Sequence, residues 1–390
     1  MRILTFTSLY PNSVNPQHGI FIETRLRELV TRQPVEARVV APVPWFPIAH
    51  SYFGRYADFA RVPPYEERGG VSVLHPRYLV LPRIGALLAP TALYWRTLPV
   101  LRRLRREGFG FDLIDAHYFY PDGVAAARLG QTMGVPVVIS ARGSDINVIP
   151  EDPAARRMIL AAARDAAGLI AVSTGLQQRM VELGIPESRI TVLRNGVDTG
   201  RFAPEEGARE ALGLPAGMTV LASVGNLVPV KDFALAIAVV RELPGAVLLL
   251  AGEGPLRGEL TRLAQSLGLA DRVRFLGRLP QERLRLVYSA ADLLLLTSLS
   301  EGWPNVVLEA MACGSPVVSV PLPGIEEIIT NPRVGAVAAD RRPASLAEAA
   351  RRLLVGPAER GLVRAHAATF DWQATAQGIY DLFTRILSSR

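Results

Sequence analysis

Residues 300–316 read SEGWPNVVLEAMACGSP, and the fold follows from how this stretch is punctuated. Pro304 stands where a short helix would begin, Gly314 just past its end and Pro316 beyond. The apolar run Leu293–Thr297 ahead of it predicts a strand. A strand, a glycine-bearing loop and a helix N-terminus make an anion site, because backbone N–H groups and the helix dipole point at the ligand. Glu301 falls on the loop and Glu309 in the early part of the helix. Two carboxylates flanking an anion site fit a ligand with hydroxyls at both ends of a phosphate. A nucleotide sugar has that layout, with ribose on one side and a transferable sugar on the other.

Outward from this segment, short runs rich in Val, Ile and Leu alternate with longer amphipathic ones, the pattern of parallel sheets covered by helices. The strands expected around it are Thr219–Val224, Ala246–Ala251, Val273–Leu276 and Val317–Val320. An earlier set comprises Ile3–Thr7, Arg38–Ala41, Leu113–Ala116, Val135–Ser140, Leu169–Ser173 and Ile190–Leu193, with helices such as Gly19–Val30 and Ala154–Ala167 between them. The polar stretch Asn195–Gly217 separates the sets, which predicts two doubly wound α/β domains and a cleft between them for a ligand. The 390 residues are 49% apolar and 20% charged, which suits two packed cores and excludes wholesale disorder. The single Cys313 excludes a disulfide framework and suits a reducing compartment. Of the 43 basic residues, which outnumber 36 acids, only Lys231 is a lysine, and nearly all of the positive excess lies in residues 1–200. An anionic partner is therefore sought in that half.

Four segments together resemble the family 4 retaining glycosyltransferases, also called group 1. They are Glu301 and Glu309 spaced by seven residues, Val224-Gly225-Asn226-Leu227-Val228-Pro229-Val230-Lys231, Ala251-Gly252-Glu253-Gly254-Pro255, and Arg194-Asn195-Gly196-Val197-Asp198. The resemblance implies a GT-B fold, two Rossmann-like domains facing across a cleft. Residues 1–200 would bind acceptor, residues 201–370 would bind donor, and residues 371–390 would form a helix, Trp372–Leu387, crossing back to the first domain. It assigns Glu309 to the donor ribose, Glu301 to the transferred sugar and Lys231 to the diphosphate, whose oxygens the backbone of Trp303, Pro304, Asn305 and Val306 supports. Gly252 and Gly254 would line the donor pocket. Many relatives have Arg where Asn226 stands, so either Lys231 and backbone N–H groups suffice or another arginine, Arg257 or Arg278, reaches in. A dinucleotide site at Gly252–Gly254 is disfavoured, because the third glycine of that fingerprint would fall on Arg257.

In the first half the resemblance places Gly19, at a helix start, close to donor phosphate or acceptor. His117 would contact the transferred sugar and help to stabilise its developing charge, making His117, Lys231 and Glu301 the catalytic set. Arg142 and Asp145 are the acceptor-side candidates. An Arg at 142 suits a carboxylate or phosphate, or it simply pairs with Asp145.

No Asp-Xaa-Asp occurs, so a metal–diphosphate clamp is not expected and the reaction is expected to need no metal or other cofactor. The expected activity moves a hexosyl group, with retention, from a UDP- or GDP-sugar to a hydroxyl of a glycan or lipid-linked acceptor in cell-surface polysaccharide or glycolipid synthesis. The alternatives are a nucleotide-sugar epimerase or hydrolase of the same fold, and a non-catalytic nucleotide-sugar binding protein. Nucleic acid is not an expected partner. Met1–Thr7 is too short and polar for a signal peptide, which predicts a cytoplasmic protein. Arg77–Arg106 mixes Leu79, Leu81, Ile84, Leu87, Leu88, Tyr94 and Trp95 with Arg96, Arg102, Arg103, Arg105 and Arg106. It reads either as a core helix with a basic end or as a segment lying on an anionic membrane, the inner face of the plasma membrane.

Overall fold

The computed structural model describes residues 1–45, 55–79, 85–215, 217–355 and 359–389. They form two compact units, residues 1–194 with 372–390, and residues 195–371. The break falls at Arg194–Asn195, a few residues ahead of the expected 200.

Unit 1 is built on an eight-stranded sheet. Its order is Ile190–Val192, Gly168–Ala171, Val137–Ser140, Leu113–His117, Arg2–Phe6, Glu36–Val40, Val71–Leu74 and Tyr65–Arg68. All neighbours pair parallel except the last two, which form an antiparallel edge hairpin through Gly69-Gly70. A second small sheet pairs Val43–Trp45 with Arg77–Leu79. The central strands are buried on both faces and so read as unbroken apolar runs. The helix Ile20–Arg32 packs its Ile22, Leu26 and Leu29 against Ile379, Leu382 and Phe383 of the last helix, Trp372–Ser388. That shared core makes the C-terminal helix part of unit 1.

Unit 2 has a six-stranded, all-parallel sheet in the order Val273–Gly277, Ala246–Ala251, Thr219–Val224, Leu293–Leu296, Val317–Ser319 and Gly335–Val337. The order reverses between Thr219–Val224 and Leu293–Leu296. Such a switch point opens a crevice at the carboxyl ends of the strands. The helix Asn305–Ala312 follows Leu293–Leu296. It starts at Asn305, so Glu309 sits in its second turn and not in its first.

No described helix is long and apolar enough to cross a membrane. Pro90 and Pro99 lie inside the helix Gly85–Arg106, which exposes Leu87, Leu88 and Trp95, while Leu81 and Ile84 lie outside the described residues.

Candidate active site

In unit 2 the strand ends bring the sequence-predicted residues together. Gly225 and Gly252 continue the ladder past their strands, with Gly225 N–H donating to Ala251 C=O (3.0 Å) and Gly252 N–H to C=O of Gly277, the last residue of the next strand (2.8 Å). A β-carbon on Gly252 would lie 1.8 Å from Gly225 O, and one on Gly254 would lie 2.4 Å from Leu227 O. These two glycines are therefore demanded by backbone packing between loops, whatever ligand they face. A β-carbon on Gly225 would in turn touch the stem of Lys231, which sits in the turn Pro229–Lys231.

The Lys231 ammonium lies 2.5 Å from Glu301 Oε1, and the Ser298 hydroxyl donates to the same oxygen at 2.6 Å. Two bonds hold the loops carrying this pair together: Thr297 Oγ1 donates to Lys231 C=O (3.1 Å) and Leu299 N–H donates to Val230 C=O (2.7 Å). Arg341 adds a third tie, donating to Asp232 Oδ2 and to the carbonyls of Thr297 and Ser298. Neither Arg341 nor Asp232 is marked in the sequence by any spacing. Asn226 is exposed, and Arg257, one candidate to replace the missing cation there, pairs with Glu253 at 2.5 Å.

Glu309 accepts a bond from the Tyr288 hydroxyl at 2.8 Å. Burial raises its carboxyl to about 7, against the opposing pull of that hydroxyl and of Arg201. Trp303 is buried, its ring 6.1 Å from that of Phe370, and Asn305 Oδ1 accepts from Asn195 Nδ2 at 3.1 Å. The side chains at 303 and 305 thus brace the loop, with Pro304 buried at the helix N-cap and Val306 half-buried in the first turn.

In unit 1 His117 ends the strand Leu113–His117 and is fully buried. Arg142 donates to its Nδ1 and Asp115 Oδ2 lies 3.1 Å from its Nε2, which makes the ring the Nε2–H tautomer. Burial lowers its pKa to about 3, with Arg142 and Arg25 adding to the shift against Asp115. The imidazole is neutral and both nitrogens are engaged, with Arg142 the cation beside it. Burial alone would raise the Asp115 carboxyl, but Arg25, donating at 2.9 Å, and His117 outweigh it and hold it well below the usual range.

Asp145 is fully buried and accepts from the backbone N–H groups of Phe119 (2.8 Å), Gly143 (2.8 Å) and Arg142 (3.0 Å). This buried carboxylate ties two loops together. The link from residue 142 to Asp145 is through the backbone, while the guanidinium of Arg142 goes to His117. Gly19 has φ 68°, and a β-carbon there would lie 2.2 Å from Leu9 O, so the glycine is required by the neighbouring loop. Asp122, unnoticed in the sequence, is buried with Oδ2 accepting from Ser8 N–H and Oγ, each at 2.9 Å.

The family descriptions Glycosyltransferase Family 4 and Glycosyl transferases group 1 match residues 27–201 and 205–367. A Bacillus subtilis protein carrying the name teichuronic acid biosynthesis glycosyltransferase TuaC is 32% identical over 337 residues, covering 84% of this chain and 83% of that one. This chain belongs to the group 1 glycosyltransferases of the family 4 type. A D-inositol 3-phosphate glycosyltransferase of Mycobacteroides abscessus is 32% identical over 321 residues, covering 77% of this glycosyltransferase and 72% of its own length. Among solved structures, sucrose-phosphate synthase from Thermosynechococcus elongatus superposes with TM-score 0.79 at 19% identity over 100% of both chains. Anabaena HepE, solved in complex with UDP and glucose, gives 0.75 at 22% identity, covering 99% of this glycosyltransferase and 100% of HepE. The fold is GT-B, with parallel sheets in two Rossmann-like domains.

Proposed function

We propose that this glycosyltransferase moves a hexosyl group from a UDP- or GDP-sugar to a hydroxyl of a glycan or lipid-linked acceptor, with retention and without a metal, in cell-surface polysaccharide or glycolipid synthesis. The observation that carries the reading is the Lys231–Glu301 pair at the strand ends of residues 195–371, with Glu309 eight positions on, in the following helix. In this reading Lys231 leaves Glu301 for the diphosphate and neutralises the charge that builds up on the leaving group. Glu301 then accepts from hydroxyls of the transferred sugar, and Glu309 accepts from the ribose. The backbone around Trp303–Val306, at a helix N-terminus, holds the phosphate oxygens. Retention proceeds by front-face attack, in which the acceptor oxygen bonds to the anomeric carbon as the phosphate oxygen departs and takes the acceptor's proton.

Residues 1–194 bind the acceptor in this account. Neutral His117 presents no charge of its own, and Arg142 beside it supplies the cation for an anionic acceptor group. The names of the relatives, one for teichuronic acid and one for an inositol phosphate, support such an acceptor. HepE, solved with UDP, supports a uridine donor. A lipid-linked acceptor is supported by the helix Gly85–Arg106, where Leu88, Trp95, Arg102 and Arg106 lie exposed along one face and Trp95 is 63% exposed.

A thermal-shift screen against a panel of nucleotide sugars tests the donor assignment. Stabilisation by a UDP- or GDP-sugar, lost in Lys231→Ala, is expected. No stabilisation by any member, or an undiminished shift in the variant, would refute it.

A further inference from the structure

Arg341 lies between the strand Gly335–Val337 and the helix Pro343–Leu354, far in sequence from every residue assigned to the donor. Its guanidinium makes three bonds: to Asp232 Oδ2 at 2.7 Å, to Thr297 C=O at 2.8 Å and to Ser298 C=O at 2.7 Å. The acceptors belong to two loops. Asp232 directly follows Lys231, and Thr297 and Ser298 lead into Glu301. Ser298 is also the residue whose hydroxyl bonds the Glu301 carboxylate.

Asp232 is itself held in an unusual conformation. Its φ is 45°, in the left-handed region that residues with a β-carbon rarely adopt, and it caps the helix Phe233–Glu242 through Oδ1 to Leu235 N–H. Such a backbone persists where its surroundings over-determine it, and the Arg341 bond to Oδ2 is one of those constraints. A planar fork reaches three separated acceptors at once, which a lysine ammonium on a flexible stem does not reproduce. Arg341 and Asp232 remain about one-third exposed, at 32% and 28%. An ion pair so exposed adds little to global stability. What it can do is hold two loops in register, and a loop displaced by ~1 Å at a reacting centre costs roughly 100-fold in rate.

We propose that Arg341 is a positioning residue, which sets Lys231 and Glu301 for the donor by clamping Asp232 to the backbone of Thr297 and Ser298. The proposal rests on the donor reading given above, and the experiment separates the two. The full chain is titrated calorimetrically with UDP and with GDP, and the tighter ligand becomes the probe. Binding of neither, or undiminished binding by Lys231→Ala, overturns the donor reading and the clamp together. With Lys231→Ala weakened, Arg341→Met should bind the probe at least tenfold more weakly than wild type, and Arg341→Lys should fall between. Because Arg341 acts through Lys231, the double variant should bind within twofold of Lys231→Ala. A role in folding alone would instead lower Tm and leave the affinity of the folded protein unchanged. Probe affinity of Arg341→Met within twofold of wild type, or an additive loss in the double variant, overturns the clamp and leaves the donor reading standing. Should Arg341→Met not fold, Asp232→Asn keeps the cap oxygen and removes the ion pair. Asp232→Asn and Arg341→Lys both binding as wild type does would then overturn the clamp.

Discussion

Replacing Glu309 with Gln should flatten the pH dependence of donor binding. Burial raises this carboxyl from an ordinary 4.5 to about 7 in the free protein. Ribose hydroxyls donate to a carboxylate, so the bound state favours the ionised form. Affinity should therefore rise with pH through about 7, and below that point each pH unit costs tenfold. The full span from 7 to 4.5 corresponds to ~3 kcal/mol at 1.36 kcal/mol per unit, or roughly 100-fold in affinity between pH 8 and pH 5. For the stability of the free protein the sign is opposite: between pH 4.5 and 7 the native state holds more proton than the unfolded chain, so stability falls as pH rises. Titration calorimetry with UDP at pH 5, 6, 7 and 8 measures the effect. The terminal phosphate of UDP ionises near pH 6, as phosphate monoesters do, so the informative quantity is the ratio of wild-type to Glu309→Gln affinity, in which the nucleotide's own titration cancels. The Tyr288 hydroxyl lowers the Glu309 pKa, so Tyr288→Phe should move the midpoint to higher pH. Equal pH slopes in wild type and Glu309→Gln would refute the assignment of this carboxylate to the ribose.

Lys231→Arg should lower donor kcat/KM at least tenfold, since a planar guanidinium does not replace a compact ammonium beside Gly225; unchanged kinetics would make the survival of a lone lysine among 42 arginines a matter of chance. Burial raises Asp122 to about 7, against its bonds from Ser8 and Thr7, so its share of stability is lost as pH rises from about 4 to 7. Asp122→Asn mimics the neutral acid, and its Tm should fall less than that of wild type between pH 5 and 8; parallel curves would refute this. Gly252→Ala drives a β-carbon to 1.8 Å from a backbone oxygen and should cost more than ~3 kcal/mol, seen as loss of soluble protein or a much lower urea midpoint.

The sheets were legible because strands buried on both faces must be apolar throughout. Ala246–Ala251 and Leu293–Leu296 are runs of Ala, Val and Leu that admit no other placement. The edge hairpin was not legible, because Tyr65-Glu66-Glu67-Arg68 carries the charge that blunts a sheet edge and so looks like a loop. Its Gly69-Gly70 turn was the available signal. At the site, the Glu301–Glu309 spacing and Lys231 could be found because each stands in a segment that resembles a motif of a known family. Arg341 and Tyr288 could not, since neither stands in such a segment and each meets its partner only through the fold. Arg25 and Asp115 form a buried ion pair, yet nothing in its helix sets Arg25 apart as its one fully buried charge. The charge inside the apolar strand Leu113–His117 was the one sign that a partner had to exist. Gly19, Gly252 and Gly254 show the converse: the sequence marks glycines at ligand-like places, and the structure shows that neighbouring backbone already requires them.

The central claim is that residues 195–371 hold a nucleotide diphosphate sugar through Lys231 for transfer to an acceptor. Nucleotide release, followed with and without an acceptor extract for the donor selected by the thermal screen, tests it most directly. The account predicts release that depends on acceptor, with the sugar recovered on the acceptor, and its loss in Lys231→Ala. Release from donor alone at the same rate, or full turnover by Lys231→Ala, would contradict it.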